Sequence, residues 1–193
     1  YKRQVYHYVR QMDLPTSVPA HLSSTLASMG CGIPYAIAAK AAAPAKPVAV
    51  LAGDGAVQML GINELITVAE AWPAWEDPTM VIVVLSNRDL AEVSWEQRES
   101  ESQPRFARSQ EVPEFDMAAY AELLGLRGIR VEEPDQLAPA LEEAFSADRP
   151  TVIDAITDPD VPLLPPFPHG REMLESMRTG LQAEGAAGEH ALE

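Results

Sequence analysis

Residues 48–55 read Val48-Ala49-Val50-Leu51-Ala52-Gly53-Asp54-Gly55, and the fold can be predicted outward from them. The apolar half predicts a short buried strand that is closed by glycine. Apolar residues then recur at the spacing of an amphipathic helix; they are Ile62, Leu65, Ile66 and Ala69. A second apolar run, Met80 to Ser86, predicts another buried strand, and Asn87 follows it directly. Strand, glycine turn, helix and strand together predict a βαβ unit.

Two polar residues, Asp54 and Asn87, follow the predicted strands. A right-handed crossover brings both strand ends to one edge of a parallel sheet, where open α/β sheets bind ligands. Carboxylate and amide oxygens suit Mg²⁺ or Ca²⁺, and the free N–H groups of Gly55 and Ala56 at a helix start favour phosphate. The pattern therefore predicts a metal-bridged diphosphate on the glycine turn. The alternative is a tight turn without a ligand, because Gly and Asp are common in turns.

Two motifs resemble those of thiamine diphosphate enzymes. The first is Gly53-Asp54-Gly55 followed, after a spacer and an apolar strand, by Asn87. The second is the segment 25–40, TLASMGCGIPYAIAAK, which closely resembles the matching segment of pyruvate oxidases and acetolactate synthases. The resemblance runs from about residue 21 to residue 158 and covers the C-terminal, diphosphate-binding (PP) domain of that family. The spacer is a few residues longer than usual, which we attribute to an insertion at 72–78 between helix and strand.

The resemblance implies a set of residues that contact the cofactor. They are Ala27, Met29, Gly53, Asp54, Gly55, Ala56 and Asn87. Mg²⁺ would be held by Asp54, Asn87 and the backbone carbonyl of Asp89. Met29 would prop thiamine diphosphate in a bent conformation, and the carbonyl of Ala27 would accept a hydrogen bond from the aminopyrimidine ring. The alternative for Met29 is a core methionine that fills a gap.

A helix predicted to begin near Ala91 provides the candidates for a substrate pocket. They are Glu92, Val93, Trp95 and Glu96. The run Trp95-Glu96-Gln97-Arg98 resembles the Trp-Glu-Asp-Arg of acetolactate synthases but lies one residue nearer to Asn87, whereas Glu96 has the spacing from Asn87 of an acid in pyruvate oxidases. These two alignments differ by one residue, so both cannot hold. The alternative is an amphipathic helix with solvated Glu and Arg side chains.

Composition limits the class of protein further. The net charge of −15 over 193 residues argues against nucleic acid or an anionic membrane surface as a partner. The single cysteine, Cys31, cannot form an internal disulfide and fits a reducing compartment, so we expect a cytoplasmic protein. No apolar run is long enough to span a bilayer.

The predicted fold is a three-layer α/β domain with a mostly parallel sheet and helices on both faces. We expect residues 1–19 to be the remnant of an interdomain linker, residues 20–160 to form the PP domain, and residues 161–193 to form an extended linker and a partly helical tail. Asp116 and Asp135 are predicted to cap helices. The chain begins at Tyr1 and lacks the other domains of the family pattern, so we expect a fragment or an excised domain.

The resemblance implies a thiamine diphosphate-dependent enzyme that decarboxylates a small 2-oxo acid. In that family the glutamate that activates the cofactor lies on a separate Pyr-type domain or subunit, often across an interface of a homo-oligomer. We therefore assign no catalytic residue to this chain and expect little turnover from it alone; FAD, if the full-length protein uses it, belongs to a domain outside the chain. The alternatives are a separately encoded PP subunit, a cofactor-binding module without catalysis, and a nicotinamide-binding domain. The last lacks the glycine fingerprint of that class.

Overall fold

The computed structural model describes residues 12–23, 25–161 and 170–192. These residues form two compact units. The first, here called the sheet unit, comprises residues 14–86 and 114–157. The second, the helical unit, comprises the described parts of 1–13, 87–113 and 158–193. Most of the predicted linker remnant, residues 1–11, lies outside the described residues.

The sheet unit contains four strands that are all parallel. They are β1 (Val48–Gly53), β2 (Met80–Ser86), β3 (Arg127–Val131) and β4 (Thr151–Ile156). Their order across the sheet is β1-β2-β4-β3. The central strands are nearly continuous apolar runs because both of their faces are covered, as is usual in parallel sheets. The predicted parallel α/β fold is confirmed.

The helices, in chain order, are α1 (Gly32–Ala42), α2 (Ile62–Ala71), α3 (Ala91–Glu101), α4 (Ala107–Gln110), α5 (Met117–Leu123), α6 (Leu137–Ser146), α7 (Gly170–Ala183) and α8 (Ala186–Glu189). A helical turn, Asp54–Ala56, and a π-helical segment, Val57–Gly61, join β1 to α2. Short 3₁₀ turns lie at Trp72–Ala74, Pro134–Gln136 and His190–Leu192. No helix among these is long and apolar enough to cross a bilayer.

Alternate residues of β2 face opposite layers of the sheet unit. Met80, Ile82 and Val84 pack in one core with residues of α1, α2 and α5. Val81 packs in a second core with residues of α6. Since side chains of a strand alternate between faces, one buried strand contributes to both cores. The three predicted layers follow from this arrangement.

Two local predictions about helices are wrong. Ile66 was expected on the inner face of α2 but is 52 % exposed, because the buried stripe of that helix runs through Leu65 and Val68. Asp135 does not cap α6. Instead the side-chain Oε1 of Gln136 accepts hydrogen bonds from the N–H groups of residues 132 and 133, at 2.8 and 3.0 Å. By contrast, the predicted cap at Asp116 is confirmed, since its carboxylate accepts the N–H of residue 119 at 2.8 Å.

The helical unit has its own small core. Ala91 and Trp95 of α3 pack with Leu181 of α7, and all three are buried. The tail that was predicted to be partly helical contains a helix of 14 residues, α7, within this unit. The predicted extended linker that precedes it lies mostly outside the described residues, at 162–169.

Candidate functional site

The glycine turn places a carboxylate at the carboxyl end of β1. Gly53 is the last residue of the strand and has an extended backbone, with φ −93° and ψ 154°, before the chain turns into the helical segment at Asp54. Asp54 is only 6 % exposed. Its Oδ1 accepts the N–H of Gly55 at 2.8 Å. The glycine turn therefore holds a largely buried carboxylate at the carboxyl end of β1.

The segment 25–40 packs directly on the π-helical segment that follows the glycine turn. A Cβ added at Gly30, where φ is +83°, would lie 2.7 Å from the Cβ of Leu60. A Cβ at Gly61 would lie 3.0 Å from the Cδ1 of Ile33, the first apolar residue of α1. Both glycines are therefore required for close packing, and they bring residues 27–33 against the π-helical segment. Such π segments are common at functional sites.

Ala27 has a backbone conformation that alanine rarely adopts. Its φ is +47°, in the left-handed region that costs an L-residue about 1–2 kcal/mol. Strained residues of this kind cluster at ligand sites, where the surrounding structure holds them. Met29, two residues later, is half-buried rather than part of the apolar core. Both observations fit the cofactor-shaping roles that the resemblance implies for these residues.

The two strands that carry the predicted metal ligands are neighbours. Gly53 pairs with Leu85 in the parallel register of β1 and β2, so the carboxyl ends of the two strands meet at one edge of the sheet. Asp54 follows the first strand directly. Asn87 follows Ser86, the last residue of the second strand, and is the first residue of that segment of the helical unit. The predicted parallel βαβ arrangement is confirmed.

The segment that begins at Asn87 is held in an irregular conformation within the helical unit. The side-chain Oδ1 of Asn87 accepts the N–H of Asp89 at 3.1 Å, and Arg88 has a left-handed φ of +56°. Leu90 donates its N–H to the carbonyl of Gln110 at 2.8 Å. These contacts hold the loop 87–90 in one conformation.

The side chain of Asp89 is engaged inside the helical unit. Its Oδ1 lies 3.0 Å from the Nε of Arg105, an ion pair whose atoms are not aligned as a hydrogen bond. Burial raises the pKa of Asp89, although Ser94 and the charge of Arg105 act in the opposite direction. The prediction for Asp89 as a metal ligand concerned only its backbone carbonyl. The side-chain carboxylate of the same residue is engaged separately, in the ion pair with Arg105.

The four substrate-pocket candidates lie on different sides of α3. Trp95 is fully buried, donates its Nε1–H to the carbonyl of Pro159 at 3.2 Å, and lies under the guanidinium of Arg98, which is 4.5 Å from the ring centre. Packing is thus sufficient to account for Trp95. Val93 and Glu96 are exposed, and Glu92 is half-buried. Val93 and Glu96 therefore lie away from the fully buried face of the helix, and Glu92 lies at its border.

Sequence reasoning missed one buried acid near the strand ends. Asp154, on β4, is fully buried. It accepts a hydrogen bond from the hydroxyl of Ser86 at 2.5 Å and one from the N–H of Met117 at 3.3 Å. Burial raises the pKa of Asp154, against the effect of these hydrogen bonds. A single acid inside the otherwise apolar run 151–156 is the signal that could have found it.

Within the described ranges, no three side chains among His, Cys, Asp and Glu form a group that could hold a metal ion. The predicted set is of another kind, because it consists of one carboxylate, one amide and one backbone carbonyl. That donor set is typical of Mg²⁺ sites in which phosphate and water complete the coordination.

Comparison with known proteins identifies the family. The sequence model described as "Thiamine pyrophosphate enzyme, C-terminal TPP binding domain" matches residues 1–155. The chain belongs to this family. The match shows a thiamine pyrophosphate-binding domain and confirms the family that was predicted from the two motifs.

Several relatives of this TPP-binding domain are acetolactate synthases. The chain is 31 % identical over 179 residues to the mitochondrial acetolactate synthase catalytic subunit of Aspergillus candidus, covering 87 % of this chain and 24 % of that protein. It is 32 % identical over 159 residues to the acetolactate synthase isozyme 2 large subunit of Escherichia coli K12, covering 80 % and 28 %. A putative thiamine pyrophosphate-containing protein of Bacillus subtilis, YdaP, is 35 % identical over 142 residues, covering 74 % and 23 %. The chain spans about a quarter of the length of these relatives.

Proposed function

We propose that this chain is the thiamine diphosphate- and Mg²⁺-binding domain of an enzyme that decarboxylates a 2-oxo acid, of the acetolactate synthase or pyruvate oxidase type. The observation that carries the proposal is the buried Asp54 on a glycine turn at the carboxyl end of β1, beside the end of β2. Family membership supports the cofactor.

In the proposed site, Asp54, Asn87 and the carbonyl of Asp89 hold Mg²⁺, and the ion neutralises the diphosphate. Backbone N–H groups at Gly55 and Ala56 would bind phosphate oxygens at the start of the helical segment, where the partial positive charge of the helix favours an anion. The N–H of Gly55, which donates to Asp54 Oδ1 in this structure, would change its acceptor. Gly53 allows the close approach of the backbone.

Ala27 and Met29 shape the organic part of the cofactor in this proposal. The carbonyl of Ala27 would accept a hydrogen bond from the aminopyrimidine, and the backbone of that residue is held at a left-handed φ of +47°. The Met29 side chain supports the bent conformation. When bound, thiamine diphosphate supplies the electron sink for cleavage of the bond to CO₂. Glu92, Val93 and Glu96 remain the substrate-pocket candidates, and Trp95 is the weakest because packing accounts for it.

The reaction needs a second domain. The glutamate that activates the cofactor is proposed to come from a Pyr-type domain or subunit, within a homo-oligomer, and FAD would be held outside this chain. The chain covers only about a quarter of each of these relatives, which supports a domain of a longer enzyme over a separately encoded PP subunit or a module without catalysis. We expect the isolated chain to bind cofactor weakly and to show little turnover.

Calorimetry with thiamine diphosphate and Mg²⁺ tests the proposal. Wild type should give a binding heat that requires the metal, and Asp54→Ala should abolish it. Asp148→Ala is the matched control, because Asp148 is a solvent-exposed acid of the same unit. Equal metal-dependent heats for the wild type and Asp54→Ala would contradict the assignment.

A further inference from the structure

The loop 87–90 is connected by polar contacts to the C-terminal helix of the helical unit. Two connections leave the loop. The carboxylate of Asp89 pairs with the guanidinium of Arg105 at 3.0 Å. The N–H of Leu90 donates to the carbonyl of Gln110, whose side-chain Oε1 accepts the N–H of Phe106 at 2.8 Å. Both connections therefore end on the segment 103–106.

The segment 103–106 is in turn held by the tail. The carboxylate of Glu184 accepts the backbone N–H of Arg105 at 2.7 Å. The same carboxylate accepts two hydrogen bonds from the guanidinium of Arg98, through Nε and Nη2, each at 2.8 Å. Both side chains of this pair are almost fully buried, with 3 % and 10 % exposed. Hydrogen-bonded, bidentate pairs of this kind are the strong ones.

The tail also approaches this segment closely enough to exclude a side chain. A Cβ at Gly180, on α7, would lie 2.8 Å from the carbonyl oxygen of Gln103 and 3.3 Å from the Cα of Arg98. Burial raises the pKa of Glu184, but hydrogen bonds from Arg98 and Arg105 outweigh it and hold that pKa below its usual value. The carboxylate is thus charged where it meets its three donors.

From this continuous set of contacts we infer that Glu184 is a positioning residue for the cation-binding loop 87–90. It acts through Arg105 on Asp89, the residue whose carbonyl is proposed to hold Mg²⁺. The role at the cation rests on the proposed function, whereas the coupling between tail and loop rests only on the contacts within the helical unit. A docked tail is therefore required for the loop to keep its conformation.

Hydrogen–deuterium exchange of the full chain tests the coupling without any ligand. Glu184→Ala should accelerate exchange at the amides of Asp89 and Leu90 by about tenfold. Glu184→Gln, which keeps an acceptor for Arg105 and has the same size, should give a smaller increase and guards against loss of the fold. Glu175→Ala is the matched control, because Glu175 is an exposed acid on the same helix; it should leave both amides unchanged.

The second readout is the affinity for Mn²⁺ in the presence of thiamine diphosphate. We expect weaker Mn²⁺ binding by Glu184→Ala and unchanged binding by Glu175→Ala. Faster exchange confined to 170–192 and α3, with Asp89 and Leu90 still protected, would overturn the inference, since the tail would then only stabilise itself. Failure of the wild type to bind Mn²⁺ would overturn the proposed function and the role at the cation, while the exchange data would still decide the coupling.

Discussion

Replacement of Gly30 by alanine should be among the most damaging small changes in the sheet unit. The residue has φ +83°, and an added Cβ would lie 2.7 Å from the Cβ and 3.0 Å from the Cδ1 of Leu60. The left-handed conformation costs an L-residue about 1–2 kcal/mol. Overpacking adds about 1–3 kcal/mol. Gly30→Ala should therefore lower the free energy of unfolding by about 2–5 kcal/mol.

Gly125 supplies the matched control for this substitution. Its φ is +77°, but nothing lies within 4 Å of an added Cβ, so Gly125→Ala should cost only the conformational part, about 1–2 kcal/mol. Urea denaturation of both variants measures the difference. Leu60→Gly should remove the extra cost of Gly30→Ala, whereas Leu60→Ala should not, because alanine keeps the closest atom. If the two glycine variants were equally stable, the packing of segment 25–40 on the π-helical segment would be refuted.

Three further predictions concern buried charges. Lys40→Met should lower the free energy of unfolding by about 2–4 kcal/mol in urea denaturation, because Lys40 donates to the carbonyls of Lys46 and Asp77, each at 2.6 Å. The control Lys46→Met, at an exposed side chain, should change that free energy by less than about 0.5 kcal/mol. Equal effects of the two variants would contradict the hydrogen bonds of Lys40. Asp154→Asn should remove a pH dependence of the free energy of unfolding. Because the pKa of Asp154 is raised in the folded protein, the wild type should lose stability relative to the variant as pH rises through that pKa. Parallel curves of stability against pH for the two proteins would count against this prediction. Glu184→Gln should remove a pH dependence of the opposite sign. The lowered pKa of Glu184 contributes stability above the unfolded-state pKa, and the wild type loses that stability as pH falls. Amide protection of α7, measured as a function of pH, would disprove this if it were equally acid-sensitive in the variant.

The strands of the sheet unit could be predicted because each is a local apolar run between turn signals. β2 has the predicted bounds, Met80–Ser86, and the order of the strand, turn and helix signals was sufficient to predict the parallel βαβ unit. The turn at Gly53-Asp54-Gly55 could also be predicted, because its residues are adjacent in the sequence. The orientation of α2 was harder, since Leu65 and Ile66 are equally apolar and only the packed structure decides which of them faces the core.

The polar contacts that organise the loop and the strand ends could not be predicted from local patterns. Asp154 and Ser86 are 68 residues apart in sequence, and Glu184 and Arg98 are 86 apart. Such pairs depend on which surfaces the fold brings together, so neither composition nor periodicity indicates them. The Ala/Gly/Glu-rich composition of the tail in particular gives no sign of the ion pair of Glu184, which is visible only in the packed helical unit.

We propose that Asp54 and Asn87 hold one divalent ion together. A double-mutant cycle on Mn²⁺ affinity with thiamine diphosphate present tests it most directly, using Asp54→Ala, Asn87→Ala and the double variant. If both side chains share the ion, each single change should weaken binding strongly and the double variant should be little weaker than either, because residues that act as a unit are not additive. Independent, additive losses, or an Asn87→Ala variant that binds Mn²⁺ like the wild type, would contradict the account.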